Sequence, residues 1–340
     1  MFVGIDVGGA NTKIATSDGC VDSIYAPLWR DKAVIHAVLS GAKHKFETGI
    51  EAVGVVMTGE LCDCFVSKRE GVIHIKRAIS ATFDDPQFLD AYCIFRDGSD
   101  VDNDPLSFAS TNWLASAKYI SREYPDVIFI DVGSTTTDVI PVVGGEIKAN
   151  RSDLGRLNTH ELIYSGALRT NVATVLEKVE IGGEEYSTSS ELFAITADAY
   201  LVLGYITAED YSCDSPDSYA FEGREEQEKS RLSAMRRLAR VVCSDLEEIG
   251  EEAAIGIAEQ VKRVQVAELA GSMARITDEY GLQLVVSGGI GDFIVKEAAD
   301  SLNITYTPLS RRYGSNIPAN FPAFAVAKLL EETYYSISGR

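Results

Sequence analysis

The sequence has 340 residues, enough for two domains, with 51 acidic against 31 basic residues and a formal charge of −20. That surplus disfavours a nucleic-acid partner, which requires a basic face, and reads as a solubility feature that would also suit a cationic substrate. No apolar run reaches the ~18 residues that span a bilayer, no basic leader precedes the first β-prone run, and six scattered cysteines with four histidines match no zinc or redox spacing, so a cytoplasmic protein with free thiols and no membrane partner is expected.

The chain opens with a strand from Phe2 to Val7, a Gly turn, and a second strand from Thr12 to Thr16. Asp18-Gly19 turns it into a third strand near Val21 to Tyr25, and a helix is predicted around Ala33 to Ala42. Ala52 to Met57 is a continuous apolar run ending in Thr58-Gly59, the pattern of a buried strand whose end meets a loop. A short strand is predicted over Ala91 to Phe95, and a helix from Pro105 through Ser116 to Tyr119, before Pro125-Asp126 closes the half. The second half repeats the plan, with strands Val127 to Asp131 and Thr136 to Val142 and a hairpin at Gly144-Gly145. An insertion follows over about residues 151–230, whose last part, Tyr211 to Lys229, is polar and predicted to be an exposed loop. Leu232, Met235, Leu238, Ala239, Val242 and Cys243 recur at helical spacing and read as core. A strand from Leu282 to Ser287 ends in Gly288-Gly289-Ile290-Gly291, with a helix from Asp292, a strand at Ile304 to Tyr306 and a last helix from Phe321 to Leu330. The expected domains are residues 1–122 with 320–340, and residues 123–319.

One phrase occurs twice. Ile5-Asp6-Val7-Gly8-Gly9-Ala10-Asn11-Thr12-Lys13-Ile14 returns 125 positions later as Ile130-Asp131-Val132-Gly133-Ser134-Thr135-Thr136-Thr137-Asp138-Val139. Spaced repetition of this kind records a duplicated unit. Each copy is a strand, a tight turn and a strand; the turn N–H groups suit an anion, and the strand-end carboxylates Asp6 and Asp131 suit Mg²⁺, directly or through water. The expectation is that Gly8, Gly9, Asn11, Thr12 and Lys13, with Gly133, Ser134, Thr135 and Thr136, grip one polyphosphate from two sides of a cleft, joined by Gly288 and Gly289. Lys13 reads equally as an exposed strand lysine.

Five Gly-marked segments stand in order: Asp6 to Lys13, Val55 to Leu61, Asp131 to Asp138, Val285 to Gly291 and Asn316 to Ala327. This order resembles the actin, sugar kinase and heat-shock-ATPase superfamily and implies an α/β fold of two ribonuclease-H-like domains. Through Asp131 to Asp138 the chain resembles the hydantoinase A and oxoprolinase branch. Met57 to Asp63, Asn158 to Thr170, Thr196 to Leu201 and Leu238 to Cys243 make it similar to a smaller archaeal and methylotroph group of methanofuran-biosynthesis synthases. The resemblance implies a Mg²⁺-dependent transferase joining a small-molecule diphosphate, that of an aminomethyl-furanmethanol, to a phenolic amine, γ-glutamyltyramine. An ether forms and pyrophosphate leaves. Neutralising that pyrophosphate is the chemistry paired phosphate hairpins supply, and the phenol needs a base.

Candidates for the remaining roles stay open. Arg169 offers a bidentate fork to carboxylate or phosphate, or else pairs with a surface acid. Asp198, in a helix-like stretch from Glu191 to Tyr205, reads as the phenol's base, or as part of a solvated helix face or a helix cap. Glu60 and Asp63 follow a strand end, where ligands gather in α/β sheets, and His160 is a further acid or base. The rival reading is an ATP-dependent small-molecule kinase or an ATP-driven amidohydrolase, with a nucleotide as ligand; a nucleotide-sensing or filament module that self-associates shares the same fold.

Overall fold

The computed structural model describes residues 1–46, 49–221 and 227–338. In chain order the elements are β1 (Phe2–Val7), β2 (Asn11–Thr16), β3 (Val21–Tyr25), α1 (Val34–Lys45), β4 (Ala52–Met57), α2 (Lys68–Thr82), β5 (Gln87–Leu89), β6 (Phe95–Arg96), α3 (Gly98–Asn103) and α4 (Asn112–Ile120). Next come β7 (Val127–Val132), β8 (Thr137–Val143), β9 (Glu146–Ile147), α5 (Asp153–Thr159), β10 (Leu162–Ile163), α6 (Val172–Val175), β11 (Lys178–Ile181), β12 (Glu184–Ser187) and α7 (Thr196–Leu203). The chain ends with α8 (Arg231–Arg240), α9 (Leu246–Tyr280), β13 (Leu284–Gly288), α10 (Asp292–Leu302), β14 (Thr305–Pro308), α11 (Ser310–Tyr313) and α12 (Phe321–Ser338). Two compact units result: unit 1 is Met1–Phe129, Ile140–Arg156 and Leu309–Arg340, and unit 2 is Ile130–Val139 and Leu157–Pro308.

The first sheet has the order β3-β2-β1-β4-β5-β6. β1 runs antiparallel to β2 and parallel to β4, with Asp6 opposite Lys13 and Val7 opposite both Thr12 and Met57. β1 is buried along its whole length and β4 nearly so, as expected of central strands covered on both faces. Val3, Ile5, Val55, Ile75 and Phe88 build the core around them. α12 belongs to this unit, and its Tyr334 and Tyr335 pack their rings 5.3 and 5.7 Å from Phe2. The second sheet has the order β10-β8-β7-β13-β14, with β9 on β8. The path third-second-first-fourth-fifth thus occurs twice, and the duplication legible in two phrases extends to whole sheets.

Several elements differ from expectation. The strand predicted over Ala91 to Phe95 is a turn, because Asp90 Oδ1 accepts hydrogen bonds from the N–H groups of Tyr92 and Ile94 (2.8 and 2.9 Å), and the strand starts only at Phe95. The helix predicted from Pro105 is a short 3₁₀ turn, Pro105–Phe108, separated from α4 by Ser110 in the left-handed region (φ 54°). The exposed loop predicted from Tyr211 is anchored: Tyr211 is 0% and Ser215 4% exposed, while residues 222–226 of that stretch lie outside the described residues. α2, and α9 with its break at Gly250 (φ 76°), carry no helix expectation from the sequence. Among the described residues, no helix is long and apolar enough to cross a membrane, and the six cysteines are free thiols.

Candidate active site

The repeated phrase folds into the same turn twice. Gly8 N–H donates to Asn11 O (3.0 Å) in unit 1, and Gly133 N–H donates to Thr136 O (2.9 Å) in unit 2. In unit 1 the loop after β4 is tied to this turn, since the N–H groups of Thr58 and Gly59 both donate to Val7 O at 2.9 Å. Glu60 is therefore held one residue beyond a segment fixed to the end of β1. Asp6, at that end, is 3% exposed and stands opposite Lys13 in register. Lys13 is half-buried at that register position.

In unit 2 the turn is wrapped by the segment after β10. Ala167 N–H donates to Gly133 O (2.9 Å), and the N–H groups of Leu168 and Arg169 donate to Ser134 O (3.0 and 2.8 Å). The wrap requires glycine at 166, where a Cβ would lie 2.6 Å from both Ser134 C and Thr135 N. The backbone of Arg169, a half-buried residue, is thus brought to the second hairpin. Beneath the wrap, Gly166 O accepts from Thr196 Oγ1 (3.0 Å) and Gln265 Nε2 (3.1 Å). Gln265 Nε2 also donates to Ser165 Oγ (2.7 Å), and Tyr200 OH donates to Gln265 Oε1 (2.5 Å). The phrases Asn158 to Thr170 and Thr196 to Leu201 accordingly meet around one hairpin. Gln265, on α9, is the linking residue that sequence reasoning missed.

The Gly-rich turn after β13 closes on the same strand end. Gly291 N–H donates to Val132 O (3.0 Å). Gly289 has φ 83°, and a Cβ there would lie 2.4 Å from Asp131 Oδ1, so only glycine lets this turn pass the carboxylate. Asp292, which accepts from Tyr306 OH (2.6 Å) and from Ser287 Oγ, pins the turn to α10.

Glu60 is wholly buried, and its Oε2 has no hydrogen-bond partner. Burial pushes its pKa up to about 7, against the hydrogen bond from Ser110 and the charge of Lys68. Ser110 Oγ lies 2.8 Å from Glu60 Oε1 and 2.6 Å from Asp153 Oδ2. Asp153 also accepts from Lys68 Nζ (3.1 Å) and Arg156 Nη2 (2.8 Å), and the Arg156 guanidinium stacks 4.3 Å over Trp113. All of these residues lie in unit 1, and Ser110 and Asp153 carried no signal at the sequence level.

Three expected residues stand as follows. Asp198 is fully buried, and its carboxylate accepts from Arg237 Nε and Nη2 (2.9 and 2.7 Å), Tyr211 OH (3.0 Å) and Ile195 N–H (3.0 Å). It caps α7 and neutralises a buried arginine; with its lone pairs so engaged it is not placed to be the phenol's base. Thr12 is 1% exposed, so its hydroxyl is covered by the strand packing and is not presented at the hairpin tip. His160 ends α5 in the left-handed region (φ 60°), exposed and within electrostatic reach of Glu268 on α9. Among the described residues no group of three or more His, Cys, Asp and Glu could hold a metal. Asp6 and Asp131 are single carboxylates, which fits a hard ion that keeps most of its waters and takes further oxygens from a phosphate.

Two sheets of the same strand order, each opening on the same Gly-turn hairpin, define an α/β protein of two ribonuclease-H-like units, the actin and sugar-kinase type of fold. Residues 51–333 match the family Hydantoinase/oxoprolinase, and the chain belongs to that family. It is 36% identical over 337 residues, 98% of both chains, to the (4-{4-[2-(gamma-L-glutamylamino)ethyl]phenoxymethyl}furan-2-yl)methanamine synthase of Methanocaldococcus jannaschii. The protein of the same name from Methanococcus vannielii is 34% identical over 220 residues, 63% of this chain and 96% of that one. Among solved structures, a ROK family glucokinase from Streptomyces griseus gives a TM-score of 0.49 at 13% identity, covering 96% of this chain and 98% of its own.

Proposed function

We propose that the chain forms an aryl ether, capturing the furfuryl carbon of an aminomethyl-furanmethanol diphosphate with the phenol of γ-glutamyltyramine and releasing pyrophosphate. The observation that carries this reading is the identity of 36% over 98% of both chains with a synthase whose name describes that ether. The chemistry agrees with the residues. A diphosphate leaves as the carbon–oxygen bond breaks, and N–H groups of the turn tips, at Gly9 in unit 1 and at Ser134-Thr135 in unit 2, are of the kind that neutralises such charge, with Arg169 a cation in unit 2. Asp6 in unit 1 and Asp131 in unit 2 would each suit Mg²⁺, which supplies further charge neutralisation when bound. The furan oxygen stabilises positive charge at the reacting carbon, and the acidic chain favours the ammonium group of the substrate. Of the buried carboxyls, Glu60 has the proton affinity of a base working near neutral pH. Incubation with Mg²⁺ and candidate diphosphates tests the reading: pyrophosphate release is expected, whereas ADP formed from ATP in step with acceptor phosphorylation would favour a kinase.

A further inference from the structure

The proton of the phenol needs a route, because Glu60 is 0% exposed. Ser110 lies beside it, half-buried, with its backbone held in the left-handed region (φ 54°) that few non-glycine residues adopt. One hydroxyl carries one proton, yet Ser110 Oγ is within hydrogen-bond distance of two carboxyl oxygens, Glu60 Oε1 at 2.8 Å and Asp153 Oδ2 at 2.6 Å. When Glu60 is ionised the hydroxyl donates to it; when Glu60 is protonated, Glu60 donates to Ser110 and Ser110 to Asp153, so one hydroxyl serves both states. Asp153 is the member kept ionised, by Arg156 and Lys68. Glu60 Oε2, buried and without a partner, adds to its demand for a proton.

We propose, building on the ether-forming reading, that Ser110 passes the phenol's proton to Glu60 and that Asp153 orients Ser110 and returns the proton to water. The phenol O–H proton moves to Ser110 Oγ as the hydroxyl's own proton moves to Glu60 Oε1; the phenolate oxygen attacks the furfuryl carbon, and the carbon–oxygen bond to diphosphate breaks. Afterwards Glu60 gives its proton to Ser110 Oγ, Ser110 gives its own to Asp153 Oδ2, and Asp153, whose side chain is 24% exposed, releases it to water. One proton and one pyrophosphate leave per ether formed. The charged groups facing Glu60 are Lys68 at the start of α2 and Asp153 on α5, with Arg156 behind Asp153. Ser110, which takes the phenol's proton, is a catalytic residue in this scheme, and Asp153, which acts through Ser110, is a positioning residue.

Two readouts separate the relay from the reaction it serves. An infrared titration of the buried carboxylic-acid C=O band, assigned by its loss in Glu60→Gln, reports the proton on Glu60 without any substrate. Ser110→Ala removes a hydrogen bond that favours the ionised carboxylate and should raise the titration midpoint. Ser110→Gly should do the same while accepting the positive φ more readily. Asp153→Asn removes a negative neighbour and leaves Lys68 and Arg156 uncompensated, so it should lower the midpoint. In ether formation the rate should rise with pH as Glu60 ionises, its midpoint moving in the same opposite directions, and kcat of both Ser110 variants near neutral pH should fall about 100-fold. Unmoved midpoints in folded Ser110→Gly and Asp153→Asn would overturn the relay even if the ether forms. Opposite infrared shifts in a wild-type protein that makes no ether would instead uphold the proton linkage and overturn the reaction assigned to it.

Discussion

Replacing Asp198 by Asn is expected to destabilise unit 2 by about 3–5 kcal/mol, the cost of leaving one member of a buried ion pair uncompensated. Asp198 and Arg237 are both 0% exposed at their side chains and meet at 2.7 Å. Arg237 also reaches Asp217 (3.0 Å), which binds Arg240 (2.8 Å), so the pair anchors α7, α8 and Asp217. Asn retains an acceptor for Ile195 N–H but removes the charge facing the guanidinium. Chemical denaturation is the direct measurement. The double variant Asp198→Leu with Arg237→Met should lose less than Asp198→Asn alone, because it removes both charges together. A near-neutral Asp198→Asn would show that the buried pair does not hold this region.

Asp131→Asn should leave the fold intact and cost about 10²- to 10⁴-fold in rate, corresponding to several kcal/mol of charge stabilisation at the departing pyrophosphate. Asp131 is the penultimate residue of β7, and the Gly289 turn is shaped around its carboxylate, with room for no side chain. Asn conserves that shape and loses the charge, so the comparison isolates electrostatics from packing. Asp6→Asn, at the duplicated position in unit 1, should act in the same direction. Wild-type activity in excess EDTA, or full activity of both variants, would contradict a role for Mg²⁺ at these carboxylates.

The hairpins were legible because their information is local: one repeated phrase becomes one repeated turn, down to the Gly8–Asn11 and Gly133–Thr136 hydrogen bonds. The sheets followed, since β1 and β4 are unbroken apolar runs. What failed depends on partners remote in sequence. Asp198 looks like a solvent-facing helix acid until Arg237, 39 positions away, is folded against it. Glu60 was singled out by its place after a strand, but its meaning rests on Ser110, 50 positions on, and on Asp153, a further 43. α9 was overlooked although Ala254, Ile257, Ala258, Val261, Gln265 and Leu269 keep helical spacing, because small and polar residues dilute its apolar face. That dilution also hid Gln265, whose amide holds the wrap of Gly166 over the second hairpin.

The central claim is that diphosphate leaves carbon intact and a phenol replaces it. Supplying the aminomethyl-furanmethanol diphosphate and γ-glutamyltyramine with Mg²⁺ and no nucleotide, and analysing the products by mass, tests it most directly. The predicted result is the ether together with an equal amount of pyrophosphate. Ether appearing only when ATP is added, with ADP accumulating in step, would contradict it.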